Sequence, residues 1–237
     1  VVALPDLSSL FTVPIGDLIL WFVVFLFSLS LHESAHAWTS ERFGDETGRY
    51  QGRISLNPLV HIDPIGTVLI PLLGFMQGGF SFIGWAKPVQ TNPLRWRNKT
   101  QANIAVSAAG PISNFFLATV AFVIIKVLLL TGVMVPSLTS MFSIVAPVAD
   151  QTAVLEPLAK LLSILLILNL SLGVFNLIPV PPLDGSHVLE SLLPDQLADI
   201  YARIRPYGFI LLLGLLWLGV FGTIIIPVYR VVFRLLF

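Results

Sequence analysis

The sequence predicts an all-α, polytopic membrane protein, and three observations carry that expectation. Of its 237 residues, 56% are hydrophobic and only 11% charged, whereas a soluble domain carries about 25% charged residues. Mean hydropathy is +0.89. The few charges gather in short stretches and leave long windows without any. A charge costs a few kcal/mol or more at mid-bilayer and a spanning helix needs roughly 20 apolar residues, so such windows mark candidate spans. The 13 basic and 13 acidic residues cancel, which leaves no electrostatic footprint for nucleic acid. With no cysteine, disulfides, thiolate ligands and thiol nucleophiles are excluded, and any metal or catalytic site must be built from histidine and carboxylate. The chain opens on Val1-Val2 rather than methionine, so further residues are expected upstream.

The charge-free windows are residues 18–31, 64–86, 100–125, 127–149, 161–183 and 206–229. Two are interrupted. Residues 64–86 contain Pro71, Gly74 and Gly78-Gly79, and residues 127–149 contain Pro136 and Pro147 among several Ser and Thr, all of which break helices. The last window reads as one span or a bent pair, because Gly214, Gly219, Gly222 and Pro227 permit a break. In the polar stretches, residues 49–56 and 80–89 partly alternate and are punctuated by glycine, which predicts short strands. No repeat or linker divides the chain, so residues 1–237 are expected to form a single membrane-embedded domain.

The first span runs into His32-Glu33-Ser34-Ala35-His36. Residues four apart share a helix face, so both imidazoles point at one spot with Glu33 beside them, the H-E-x-x-H pattern of a zinc site. The alternative is a polar helix end at the lipid headgroups. Ionisable residues continuing an apolar span favour function. A catalytic zinc ion takes three protein ligands and keeps one position open, so a third ligand must come from elsewhere. Asp184 alone ends another long apolar window, after Pro179, Pro181 and Pro182 have broken the helix. Irregular backbone of that kind survives at membrane depth only inside protein or beside a wet cavity. Asp184-Gly185 is also an ordinary turn signal, so a helix cap is the competing reading.

Taken in order, His32-Glu33-Ser34-Ala35-His36, Asn57-Pro58-Leu59-Val60-His61-Ile62-Asp63-Pro64-Ile65-Gly66, Gly84-Trp85-Ala86-Lys87-Pro88, Ala109-Gly110-Pro111-Ile112-Ser113-Asn114 and Asn176 with Leu183-Asp184-Gly185 resemble the site-2 protease family of intramembrane zinc metalloproteases. The resemblance covers roughly residues 20 to 190. It implies a helical bundle around an intramembrane zinc site, one Zn2+ per chain held by His32, His36 and Asp184, with Glu33 as general base and Asn176 stabilising the developing oxyanion. It also implies that the substrates are single-span transmembrane proteins within a lipid bilayer, cut in or near their helices. No PDZ or CBS-like module is recognisable, so a compact, core-only member is expected.

His187 follows Asp184 by three residues, but four protein ligands would close the site, and His61 is expected to satisfy local hydrogen bonds. Asn114 is expected to serve as interhelical glue beside the small residues Ala108, Ala109 and Gly110. A substrate helix must unwind before its carbonyl can be attacked, and an edge strand at Gly84, Trp85, Ala86 and Lys87 is the candidate for holding it by β-augmentation. Pro88 cannot donate a ladder bond, and a plain interfacial hairpin is the alternative.

His36 and Asp184 both end their spans, so joining them at one ion requires an odd number of crossings between them. Letting residues 100–125 cross alone, with residues 64–86 re-entrant and 127–149 peripheral, puts Arg42, Arg49, Arg53, Lys87, Arg95, Arg97, Lys99, Arg203 and Arg205 on one side and Lys126 and Lys160 on the other. That asymmetry predicts a multi-pass protein with its site nearer the cytoplasmic face. The rival classes are a divalent-metal transporter, which needs ligands along a path, and a catalytically silent metal-binding scaffold, which would most simply lack Glu33. CAAX-processing zinc enzymes share only H-E-x-x-H and use a glutamate as third ligand.

Overall fold

A computed structural model describes residues 14–76, 84–140, 143–148 and 152–237. The elements in order are α1 (Ile15–Arg42), α2 (Thr47–Tyr50), α3 (Ile70–Met76), α4 (Lys99–Leu130), β1 (Met134–Ser140), β2 (Ser143–Pro147), α5 (Thr152–Asn176), α6 (Asp184–Leu192), α7 (Asp195–Ile204), α8 (Gly208–Trp217) and α9 (Val220–Leu236). Among the described residues, four stretches are long and apolar enough to cross a membrane: Ile15–Arg42, Lys99–Leu130, Val154–Asn176 and Asp195–Trp217. The chain is therefore an all-α integral membrane protein with one small antiparallel hairpin, β1 on β2.

Helices α1, α4 and α5 pack against one another and form the core. On one side Trp21 and Phe25 of α1, stacked 4.9 Å apart, meet Ile164, Leu168 and Leu172 of α5. On the other, Ala118, Ala121 and Ile125 of α4 meet Leu162 and Leu166 of α5. Small side chains let these backbones approach, which is how membrane helices gain packing energy in a solvent as apolar as themselves. Asn98 caps α4 by accepting from the Gln101 N–H at 3.2 Å. Asp17 in the first turn of α1 and Arg42 in its last complement the helix dipole.

The segment after α2 forms a π-helical stretch, Pro64–Leu69, that continues as α3. The Trp85 N–H donates to Gly66 O at 3.1 Å, so residue 85 lies beside the start of that stretch, as a re-entrant segment requires. Between α1 and α5, α4 is the one described helix long and apolar enough to cross; the hairpin follows it and α5 runs back. Lys160 pairs with Asp17 at 2.9 Å, at the end of α1 opposite His36. The last window is a bent pair. Gly219, with φ +72°, separates α8 from α9.

The strand expectations need correction. Residues 49–56 are not extended: α2 ends in a turn at Gly52, and the Arg53 guanidinium turns inward to donate to Val60 O and Lys87 O. Residues 84–90 run extended but join no sheet, because their partners are loops and a side chain rather than a neighbouring strand. The part of that expectation at residues 80–83, and the Gly78-Gly79 break, lie outside the described residues. Strands form instead within residues 127–149, where Met134, Ile144 and Val145 bury against α4 and α5. The turn at Thr131-Gly132 ends α4, and Pro136 prevents its resumption.

Asp45 ties the returning segment to the end of α1. Its carboxylate accepts from Ser40 Oγ at 3.0 Å, from the Asn92 N–H at 2.7 Å and from Thr47 through both N–H and hydroxyl. Burial works against the charge, but these hydrogen bonds outweigh it and hold the Asp45 carboxyl below its ordinary value. A depressed carboxyl stabilises above its unfolded value of about 3.9 and loses that contribution as pH falls through the folded one. Asp45→Asn should therefore cost about 2 kcal/mol at pH 7. Thermal unfolding in detergent should show the gap to wild type narrowing below about pH 4.

Candidate metal centre

The centre begins with helix geometry. His32 and His36 lie one turn apart on the buried face of α1, their rings edge to face at 4.7 Å and their Nε2 atoms 3.0 Å apart. Each ring is held from behind. His36 Nδ1 lies 2.6 Å from Val106 O, and His32 Nδ1 lies 2.6 Å from Asn114 Oδ1. Both partners are oxygen acceptors, so each Nδ1 carries a proton, and each imidazole when neutral presents its Nε2 lone pair. The Asp184 carboxylate closes the group, with Oδ2 at 3.1 Å from His32 Nε2 and Oδ1 at 3.4 Å from His36 Nε2. Asp184 Oδ2 is buried without a hydrogen-bond donor.

With both imidazoles neutral, three acceptors converge with no proton among them, which is repulsive unless a cation sits between. Donors at zinc distances around a tetrahedral ion lie about 3.3 Å apart, close to the separations here. Among the described residues this is the group of histidine and acidic side chains able to hold a metal, its atoms all within 4.8 Å. The space is kept by glycine. A Cβ on Gly110 of α4 would come within 2.4 Å of His36 Nε2 and 2.5 Å of His32 Nε2.

Asp184 reaches the centre because α5 stops at Asn176 and a proline-rich loop carries the chain back to α6. It is the first residue of α6, after an N-cap, Leu183, whose side chain makes no capping bond. Gly185 is required beside it, since a Cβ there would meet Leu177 O at 2.2 Å. Glu33 flanks the imidazoles, and its Oε2 accepts the Val89 N–H at 3.0 Å. A cavity of about 1290 Å³ opens here, with His32, Glu33, His36, Asn176 and Asp184 among its walls. Gly84, Trp85 and Ala86 line it as well, whereas the Lys87 side chain is exposed and contributes no wall. Asn176 ends α5 facing the cavity, one amide hydrogen donated to Leu172 O at 3.0 Å and the other left over.

The other histidines stay out of the group. His187 lines the cavity, and burial, with Arg205 nearby, holds its imidazole below the ordinary value. His61 is buried in the loop before Pro64 and donates from Nε2 to Ser55 O at 2.9 Å; burial lowers its value too. Asn114 does more than join helices: it donates to Asn169 of α5 at 2.9 Å while holding His32. Asn169 was missed by sequence reasoning. The available signal was an amide isolated in an apolar span.

Residues 20–215 match the model of peptidase family M50. YwhC of Bacillus subtilis (strain 168), whose name describes a candidate zinc metalloprotease, is 36% identical over 193 residues, covering 81% of this chain and 78% of its own. Rip2 of Mycolicibacterium smegmatis, with the same description, is 34% identical over 202 residues, covering 85% of this chain and 68% of its own. No solved structure matches significantly. With a family match over most of its length, two such relatives and a metal-competent group between membrane helices, the chain belongs to peptidase family M50, the site-2 protease family, and is a membrane zinc metalloprotease.

Proposed function

We propose that His32, His36 and Asp184 hold one zinc ion per chain, and that this centre hydrolyses peptide bonds in or near transmembrane helices of single-span proteins. The observation that carries the reading is the convergence of three proton-free acceptors at the wall of a large cavity between apolar helices. A cavity of about 1290 Å³ exceeds the roughly 300–1,000 Å³ of small-molecule pockets and suits an unwound stretch of peptide. A transporter would need further ligands along a path, and the described residues offer one group. The same helices would form one protease domain.

Zinc, when bound, supplies Lewis acidity that polarises the scissile carbonyl and acidifies water. Glu33, beside the imidazoles and open to the cavity, takes the water proton and returns it to the leaving amine. Its carboxylate is aimed by the Val89 N–H. Asn176 offers its free amide hydrogen to the carbonyl oxygen as negative charge builds there. Nδ1–H bonds to Val106 O and Asn114 Oδ1 keep both rings oriented throughout.

Substrate capture rests on the extended segment. The N–H groups of Trp85, Lys87 and Val89 point one way, to Gly66 O, His61 O and Glu33. Alternation along an extended chain turns those of Gly84 and Ala86 the other way, where both residues line the cavity. This free edge can pair with an unwound substrate, and Pro88 limits it to a short register. Lys87 belongs to the segment through its backbone alone. The excess of cationic residues at the centre's end of the bundle supports reading that end as the cytoplasmic one.

Metal content and turnover separate the roles. Glu33→Gln should retain one zinc per chain and lose activity on a panel of single-span proteins by orders of magnitude. Asp184→Ala and Gly110→Ala should lose zinc, the first by removing a ligand and the second by filling its place, while His187→Ala keeps it. Near wild-type cleavage by Glu33→Gln would refute the base, and full zinc retention by Asp184→Ala would refute the third ligand. For orientation, single cysteines replacing Gln51 and Arg97 should both react with an impermeant thiol reagent from the cytoplasmic side, and one replacing Thr131 from the opposite side. Labelling of positions 51 and 97 from opposite faces would contradict the re-entrant topology.

A further inference from the structure

We infer that Asn169, in the middle of α5, is a positioning residue that acts through Asn114 to fix which nitrogen of His32 carries the proton. The inference rests on the zinc ligands proposed above. Asn169 Nδ2 donates to Leu165 O and to Ser28 Oγ, each at 2.9 Å. Its Oδ1 accepts from Asn114 Nδ2 at 2.9 Å, and Asn114 Oδ1 faces His32 Nδ1 at 2.6 Å. Ser28, Asn114 and Asn169 are wholly inaccessible to solvent and His32 is nearly so. Water does not correct a wrong orientation there.

The chain has a direction set at one end. Leu165 O is a backbone carbonyl and can only accept, so it selects the amide nitrogen of Asn169. That choice turns Oδ1 of Asn169 toward Asn114 and selects the amide nitrogen of Asn114 in turn. The oxygen of Asn114 is left for His32, whose Nδ1 must then carry the proton and whose Nε2 must present its lone pair toward Asp184. Reversing Asn169 would oppose two oxygens at Leu165. Reversing Asn114 would offer His32 an N–H, move the ring proton to Nε2 and block the atom that faces the centre. His36 needs no such relay, because Val106 O sets its ring directly. The two imidazoles therefore differ: one is set by backbone, the other by side chains from three helices.

A purely structural role for Asn169 would lower stability and leave metal affinity alone. Zinc affinity, measured on the purified full chain by competition with a chelator, separates the cases. Asn169→Leu should bind zinc about 10–100-fold more weakly, since Asn114 loses its anchor. Asn169→Asp, protonated at this depth so that its O–H donates to Leu165 O, keeps an acceptor for Asn114 Nδ2 and should stay within about threefold of wild type. Ser171→Ala, on the same helix as Asn169, removes a bond between Ser171 of α5 and Tyr229 of α9 and should do likewise. Wild-type affinity in Asn169→Leu, or equal losses in all three variants, would overturn the relay. Should Asn169→Leu fail to fold, nitrogen NMR of the metal-free wild type decides: Nδ1–H at His32 is expected, and Nε2–H would overturn it. His32→Ala tests the underlying reading separately, because wild-type zinc retention there removes His32 as a ligand whatever Asn169 does.

Discussion

Three groups that, with both imidazoles neutral, turn lone pairs toward one another are the constraint on which the rest of this structure depends. Two are the Nε2 atoms of His32 and His36, 3.0 Å apart, and the third belongs to Asp184. In water such groups would be hydrated and separate. Between apolar helices the repulsion has few outlets, and a divalent cation resolves it. The surrounding bonds enforce the conflict rather than relieve it, because Val106 O and Asn114 Oδ1 hold the ring protons on the far nitrogens.

The fold follows from bringing those atoms together. A helical turn aligns the two histidines, but Asp184 lies some 150 positions later in sequence and must return to the same membrane level. One crossing by α4 and one by α5 achieve that, with the β1–β2 hairpin closing the far end. The re-entrant segment then brings an extended stretch of backbone to Glu33 without adding a crossing. Lone glycines hold the tolerances: Gly110 leaves room at the imidazoles, and Gly185 lets the Asp184 turn seat against Leu177 O.

Much of this was legible in the sequence because the bilayer makes charge expensive. Windows free of charge located α1, α4 and α5, and the prolines and glycines of residues 64–86 and 127–149 marked the stretches that do not cross. His32, Glu33, His36 and Asp184 announced themselves as ionisable groups ending apolar spans. Alternation was a poorer guide. Residues 49–56 alternate yet turn, because Asp45 and Arg53 draw the chain into side-chain bonds that periodicity does not register. The hairpin at β1 and β2 escaped notice because its sheet is completed by helices α4 and α5. Asn169 escaped because its role depends on a chain of partners 55 and 141 positions away, separations that a single sequence does not connect.

The most direct test of the central claim is zinc K-edge X-ray absorption on the purified protein, compared with elemental zinc content. One zinc per chain, four-coordinate, with two imidazole nitrogens and oxygen completing the shell at about 2.0–2.2 Å, is the expected result. An ion with a single imidazole, an octahedral all-oxygen shell, or a protein that retains no zinc at all would contradict the account.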